Sequence, residues 1–246
     1  MKSNRELDEA IKKLYKVFSH YPLRKHVEGC PCCVHENDKD KHALESKRLK
    51  ELTVADVGRY SFKAMTTWGD KDDFRHFMPR IFELLVSELG MGWDEEVILG
   101  KLALAKWKEW PESEQSAVRD YFHAGWNWLL VQSEPNIEPD SWLCGLGRAG
   151  EDLQKYLDNW AEMRTTTAYE HLTNFVEWNQ PIYVKRHSLI NAFWADSPAA
   201  VAQVCGWLTN RQTREKLEAI YFANEHADFA PILARAIDQL ELIAKA

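Results

Sequence analysis

Residues 228–246, "DFAPILARAIDQLELIAKA", set Phe229, Leu233, Ile237, Leu240 and Ile243 at three- and four-residue spacing and leave Arg235, Asp238 and Glu241 off that stripe. Side chains so spaced share one face of a helix with 3.6 residues per turn and cannot share one face of a strand, whose period is two. The other end of the chain repeats the pattern. "SNRELDEAIKKLYKVFSHY" (3–21) opens on a capping residue, and Leu7, Ile11, Leu14, Tyr15 and Phe18 follow at helical spacing.

Between these ends the same signals recur. Thr53 caps "VADVGRYSFKAM" (54–65), Asp70 or Asp72 starts "DFRHFMPRIFELLVSEL" (73–89), and Asp94 starts "EEVILGKLALAKWKEW" (95–110). Pro111 stands where a first-turn proline belongs, ahead of "ESEQSAVRDYFHAGWNWLLVQ" (112–132). Further helical patterns follow in "EPDSWLCGLGRAG" (138–150), "EDLQKYLDNWAEM" (151–163), "TTAYEHLTNFVEW" (166–178), "VKRHSLINAFW" (184–194), "DSPAAVAQVCGWL" (196–208, capped by Ser197 with Pro198 first) and "NRQTREKLEAIYFANE" (210–225). "QPIYVK" (180–185) is the one short strand pattern. The expectation is an all-α chain of about ten to twelve helices, either an irregular α-solenoid of HEAT- or armadillo-like pairs or a compact multi-helix domain. Residues 1–50 read as an N-terminal helix plus a Cys/His-rich segment and residues 51–246 as the helical body, the whole expected to form one structural unit.

Composition narrows the function classes. The 246-residue chain carries a net charge of −7, and the charge is unevenly spread. Residues 1–50 hold 12 Lys and Arg against 8 Asp and Glu, whereas residues 51–246 hold 19 against 30, a net of −11. An acidic body disfavours nucleic acid and anionic membranes, which attract proteins through cationic side chains, and it suits a basic protein partner. No apolar run approaches the roughly 18–20 residues of a membrane span, and the N-terminus shows no apolar signal core or cleavage site. A cytoplasmic location is expected, where the five cysteines stay reduced.

Three of those cysteines fall in "EGCPCCVH" (28–35). Cys30 and Cys33 have the C-x2-C spacing with which one tight turn presents two thiolates to a tetrahedral zinc ion. His26 and His35 flank them as candidate third and fourth ligands, and Cys32 can replace either. Zinc there would order a lysine-rich segment that has little core of its own. A thiol-redox or sensor site and metal-free thiols packed in a turn are the alternatives; Cys144 and Cys205, alone in helical patterns, read as small core residues.

The second polar constellation is "TTWGDKDDFRHFMPR" (66–80). Asp70, Asp72, Asp73 and His76 together suit general acid–base chemistry or a divalent metal. Their structural alternative is a helix start, with aspartates satisfying free amides and the helix dipole, while Arg75 and Arg80 pair with acids of neighbouring helices. Eleven tryptophans are expected mostly in the core, although Trp126 and Trp128 cannot share one helix face, so one of them is expected toward solvent or a partner.

"YPLRKHVEGCPCCV" (21–34) and "TTWGDKDDFRHFMPRIFELL" (66–85) together resemble an uncharacterised family of bacterial proteins with no assigned activity. The resemblance implies a bacterial cytoplasmic protein and carries over no catalytic residue. The combined expectation is a non-catalytic helical binding protein with an acidic surface for a protein partner, of an immunity or antitoxin kind, holding a structural zinc near its N-terminus. An enzyme working through Asp70, Asp72, Asp73 and His76, and a sensor working through Cys30–Cys33, are the rival expectations.

Overall fold

In the computed structural model the described residues are 5–87, 94–135 and 137–245. They form twelve α-helices: α1 (Arg5–Phe18), α2 (Lys39–Ser46), α3 (Val54–Lys63), α4 (Lys71–Leu85), α5 (Glu95–Leu104), α6 (Glu112–Leu129), α7 (Pro139–Arg148), α8 (Gln154–Glu162), α9 (Thr166–Arg186), α10 (Pro198–Thr209), α11 (Arg211–Ala223) and α12 (Ala230–Ala244). Short 3-10 turns lie at Leu49–Glu51, Trp107–Glu109 and Ala192–Asp196. Among the described residues there is no β-strand, only two isolated bridges that join Trp68 to Gly29 and to Ala64. The fold is all-α. Ser3, within the expected first cap, and Trp93 lie outside the described residues.

The chain forms two compact units, Met1–Gly125 and Trp126–Ala246. Residues 1–50 lie within the first unit, where α1 packs on α4 and α2 on α3. The boundary between the two units falls within α6. In the second unit α12 packs most extensively on α9, three helices earlier, and α10 reaches α7, α8 and α12. A solenoid helix meets chiefly its neighbours in sequence, so these skipping contacts fit the compact multi-helix alternative.

The apolar stripes go where their spacing sends them. Leu7, Leu14 and Phe18 of α1 are buried, as are Leu233, Leu240 and Ile243 of α12, while Arg235, Asp238 and Glu241 lie off the buried stripe. Trp126 is buried edge-on against Trp160, with ring centroids 5.1 Å apart, and Trp128 is half-buried. Trp178 on α9, at 49% exposure, is the outward tryptophan among the described residues.

Two segments depart from expectation. "QPIYVK" belongs to the last third of the 21-residue α9 and is not a strand. Its β-branched and aromatic residues simply continue an established helix, and Pro181 is accommodated within it. "VKRHSLINAFW" is not a separate helix: α9 runs through Arg186, ends at His187 in a left-handed conformation (φ 51°), and only the 3-10 turn Ala192–Asp196 follows.

Candidate functional site

The cysteine segment is an irregular loop fastened to the first unit at several points. Gly29 bridges Trp68, the Cys30 amide donates to the Thr67 carbonyl at 2.8 Å, and the Gly69 amide donates to the Glu28 carbonyl at 2.6 Å. The amides of Cys33 and Val34 both return to the Cys30 carbonyl at 2.8 Å, which closes a tight turn. Gly29 allows this closeness: a Cβ there would stand 2.6 Å from the Val34 Cβ. Arg59 of α3 grips the far side by donating to the Cys33 carbonyl, while its guanidinium also meets Asp38 at 2.8 Å and Asp40 at 2.9 Å.

The turn gathers Cys30, Cys32 and Cys33 so that their sulfurs all lie within 4.8 Å of one another, a group able to hold a metal ion. Cys32 is exposed and the other two are half-buried. The Cys32 and Cys33 Sγ atoms are 3.7 Å apart, close to the roughly 3.8 Å edge of a tetrahedron built on 2.3 Å zinc–sulfur bonds. The Cys30–Cys32 separation is shorter, 2.9 Å. Hydrogen bonds from the Cys32 thiol and then the Cys32 amide lower the Cys30 pKa, whereas bonding to Cys30 and Cys33 pushes Cys32 up to about 11.

His26 and His35 do not join the three-sulfur group. The His35 amide donates to Asp38 Oδ2 at 2.8 Å. The His26 ring is largely exposed, with Nδ1 3.9 Å from Glu45 Oε1. His26 and Cys30 nevertheless border one cavity of about 420 Å³, together with Arg24, Trp68, Asp70 and Asp73. Chain spacing gives no sign of this neighbourhood. It follows from the Gly29–Trp68 bridge, which lays the cysteine segment beside the start of α4.

At that start the aspartates serve the helix. Asp70 is the N-cap of α4: its carboxylate accepts from the amides of Asp72 at 2.8 Å and Asp73 at 3.1 Å, and Asp73 reciprocates by accepting from the Asp70 amide at 2.9 Å. Gly69, at φ 66°, supplies the left-handed turn that leads into this box. Arg24 ties the three acids together, at 2.5 Å from Asp70, 3.4 Å from Asp72 and 3.6 Å from Asp73. Burial raises the Asp73 pKa; at Asp70 burial acts the same way but the Arg24 hydrogen bond and the helix amides outweigh it, so its pKa is lowered.

His76 Nδ1 lies 2.8 Å from the Tyr21 carbonyl, and its ring meets Phe77 edge-on. Arg80 pairs with Glu83 on its own helix and donates to the Leu52 carbonyl at 2.7 Å. Arg75 lies over Trp110, just before α6, and 3.9 Å from the buried Glu114 of α6.

No helix among the described residues is long and apolar enough to cross a membrane. No family model, curated protein or solved structure matches the chain.

Proposed function

We propose that the protein is a non-catalytic helical binding protein whose first unit is held in shape by a structural zinc ion on Cys30, Cys32 and Cys33. The observation that carries the metal is the convergence of three sulfurs within 4.8 Å on a turn fastened at Thr67, at Trp68 and by Arg59. Loop ends so constrained lower the entropy cost of gathering three thiolates, and zinc is the borderline-soft ion that tetrahedral thiolate sites take. Metal binding would in turn stabilise an exposed, charged loop that buries few side chains. The non-catalytic reading is supported by the employment of Asp70, Asp72 and Asp73 in a helix cap and an Arg24 ion-pair cluster. The net charge of −11 over residues 51–246 makes a basic protein the complementary partner.

The test is elemental analysis of protein purified without a histidine tag. About one zinc per chain is expected, lost in Cys30→Ser and in Cys33→Ser. Metal-free protein with all five thiols freely titrating would overturn the metal reading.

One observation favours a second reading. The 2.9 Å separation of the Cys30 and Cys32 sulfurs suits a thiol sensor, in which peroxide removes two electrons and two protons from the pair to form a disulfide and water. Peroxide treatment followed by peptide mapping decides this. A Cys30–Cys32 disulfide formed reversibly, with loss of metal, would establish it; untouched thiols would exclude it.

A further inference from the structure

The geometry points to His26 as the fourth ligand of the metal, with Glu45 as the carboxylate that orients it, giving a site of three thiolates and one imidazole. This inference rests on the metal reading above. Three thiolates leave one corner of a tetrahedron open. His26 and Cys30 border one cavity, whose lining includes neither His35 nor the other two cysteines, so the His26 ring would swing toward the sulfurs to take that corner.

The surroundings of His26 support the choice. Metal-bound imidazoles commonly use one ring nitrogen for the ion and the other for a carboxylate, which sets the tautomer. Glu45 of α2 is placed for that role. Its Oε1 accepts from the Val27 amide at 3.0 Å, which holds the carboxylate beside the histidine's own backbone, and lies 3.9 Å from His26 Nδ1. Lys41 Nζ, bonded to Glu36 at 2.6 Å, lies 4.0 Å from the same oxygen. With Nδ1 facing Glu45, Nε2 is the nitrogen left for the ion. The ring is 78% exposed, so turning it toward the sulfurs would vacate no packed site. Ligation by His26 would also explain why α2, a helix with few apolar residues, is kept next to the cysteine turn: it delivers Glu45.

Cobalt(II) titration of the full chain tests this, because tetrahedral cobalt reports its ligand set through visible d–d bands and sulfur charge-transfer bands. His26→Ala is expected to weaken cobalt binding by at least about 10-fold and to shift the d–d bands. Glu45→Gln is expected to keep the bands and weaken binding by roughly 10- to 100-fold, the usual cost of losing a ligand's hydrogen-bond partner. His26→Cys should restore affinity with stronger charge transfer, and His35→Ala should match the wild type. Circular dichroism of each variant checks that the helices persist. Bands and affinity unchanged in His26→Ala would overturn the assignment of the fourth ligand while the three-thiolate metal site stands. Absence of cobalt bands in the wild type would overturn both.

Discussion

Arg59 donates to the Cys33 carbonyl from α3, and the same guanidinium bridges Asp38 and Asp40 and lies 5.3 Å from the Trp68 ring. One side chain thus links the cysteine turn, the start of α2 and the turn before α4. Replacing it by Ala leaves the Cys33 carbonyl without that donor and sets two carboxylates side by side. Arg59→Ala is expected to cost about 1.5–3 kcal/mol, the range for a hydrogen bond to a charged group. Urea unfolding measures it, and a loss under about 0.5 kcal/mol, the level of a neutral surface change, would show that the clasp contributes little.

Gly69 combines a left-handed backbone with close quarters. A Cβ there would stand 3.1 Å from the Asp73 Cβ and 3.2 Å from the Tyr60 hydroxyl. Gly69→Ala should therefore destabilise by about 1–2 kcal/mol from the backbone alone, with an added share from displacing Asp73 out of the α4 cap. Thermal unfolding against Gly206→Ala, where an added Cβ meets nothing within 4 Å, provides the control. Equal effects at the two positions would refute the account.

The tryptophans divide by burial. Trp126→Ala opens space against Trp160 in the second unit and should cost about 3–5 kcal/mol, as large aromatic deletions do. Trp178→Ala, half-exposed on α9, should fall within about 0.5 kcal/mol of the wild type. Chemical denaturation of both variants checks the ranking.

Burial pushes the Glu95 carboxyl up to about 7, with the charges of Glu96 and Asp94 adding to the rise and a backbone hydrogen bond opposing it. A carboxyl raised in the folded state favours folding fully below its unfolded value and loses that contribution as pH climbs toward the folded one. Stability should thus decline between about pH 4.5 and 7 on account of this residue. Glu95→Gln should flatten that decline and leave a more stable protein above it. Midpoint temperatures measured on either side of that window give the difference, and parallel curves for variant and wild type would contradict it.

The helices were legible where an apolar stripe met a recognisable start. Asp70 and the stripe in residues 228–246 announce α4 and α12 with little help from the rest of the chain. Helix α2, "KDKHALES", carries no such stripe; Ala43 and Leu44 are buried because α3 lies against them. "QPIYVK" misled because its residue types favour strands, while the preceding helix already supplied the hydrogen-bonding frame. The cysteine spacing marks a candidate metal turn but not its neighbours: Arg24, Asp70 and Asp73 come beside Cys30 through the Gly29–Trp68 bridge, a pairing of distant residues that no periodicity encodes.

The exposure of Cys32 has a practical side. A thiolate site at the surface exchanges its ion with the surroundings, and affinity order among first-row metals favours copper over zinc. On the proposed zinc site such exchange would let the turn be emptied and refilled without unfolding the helices, so zinc reloading of stripped protein complements elemental analysis of the protein as purified.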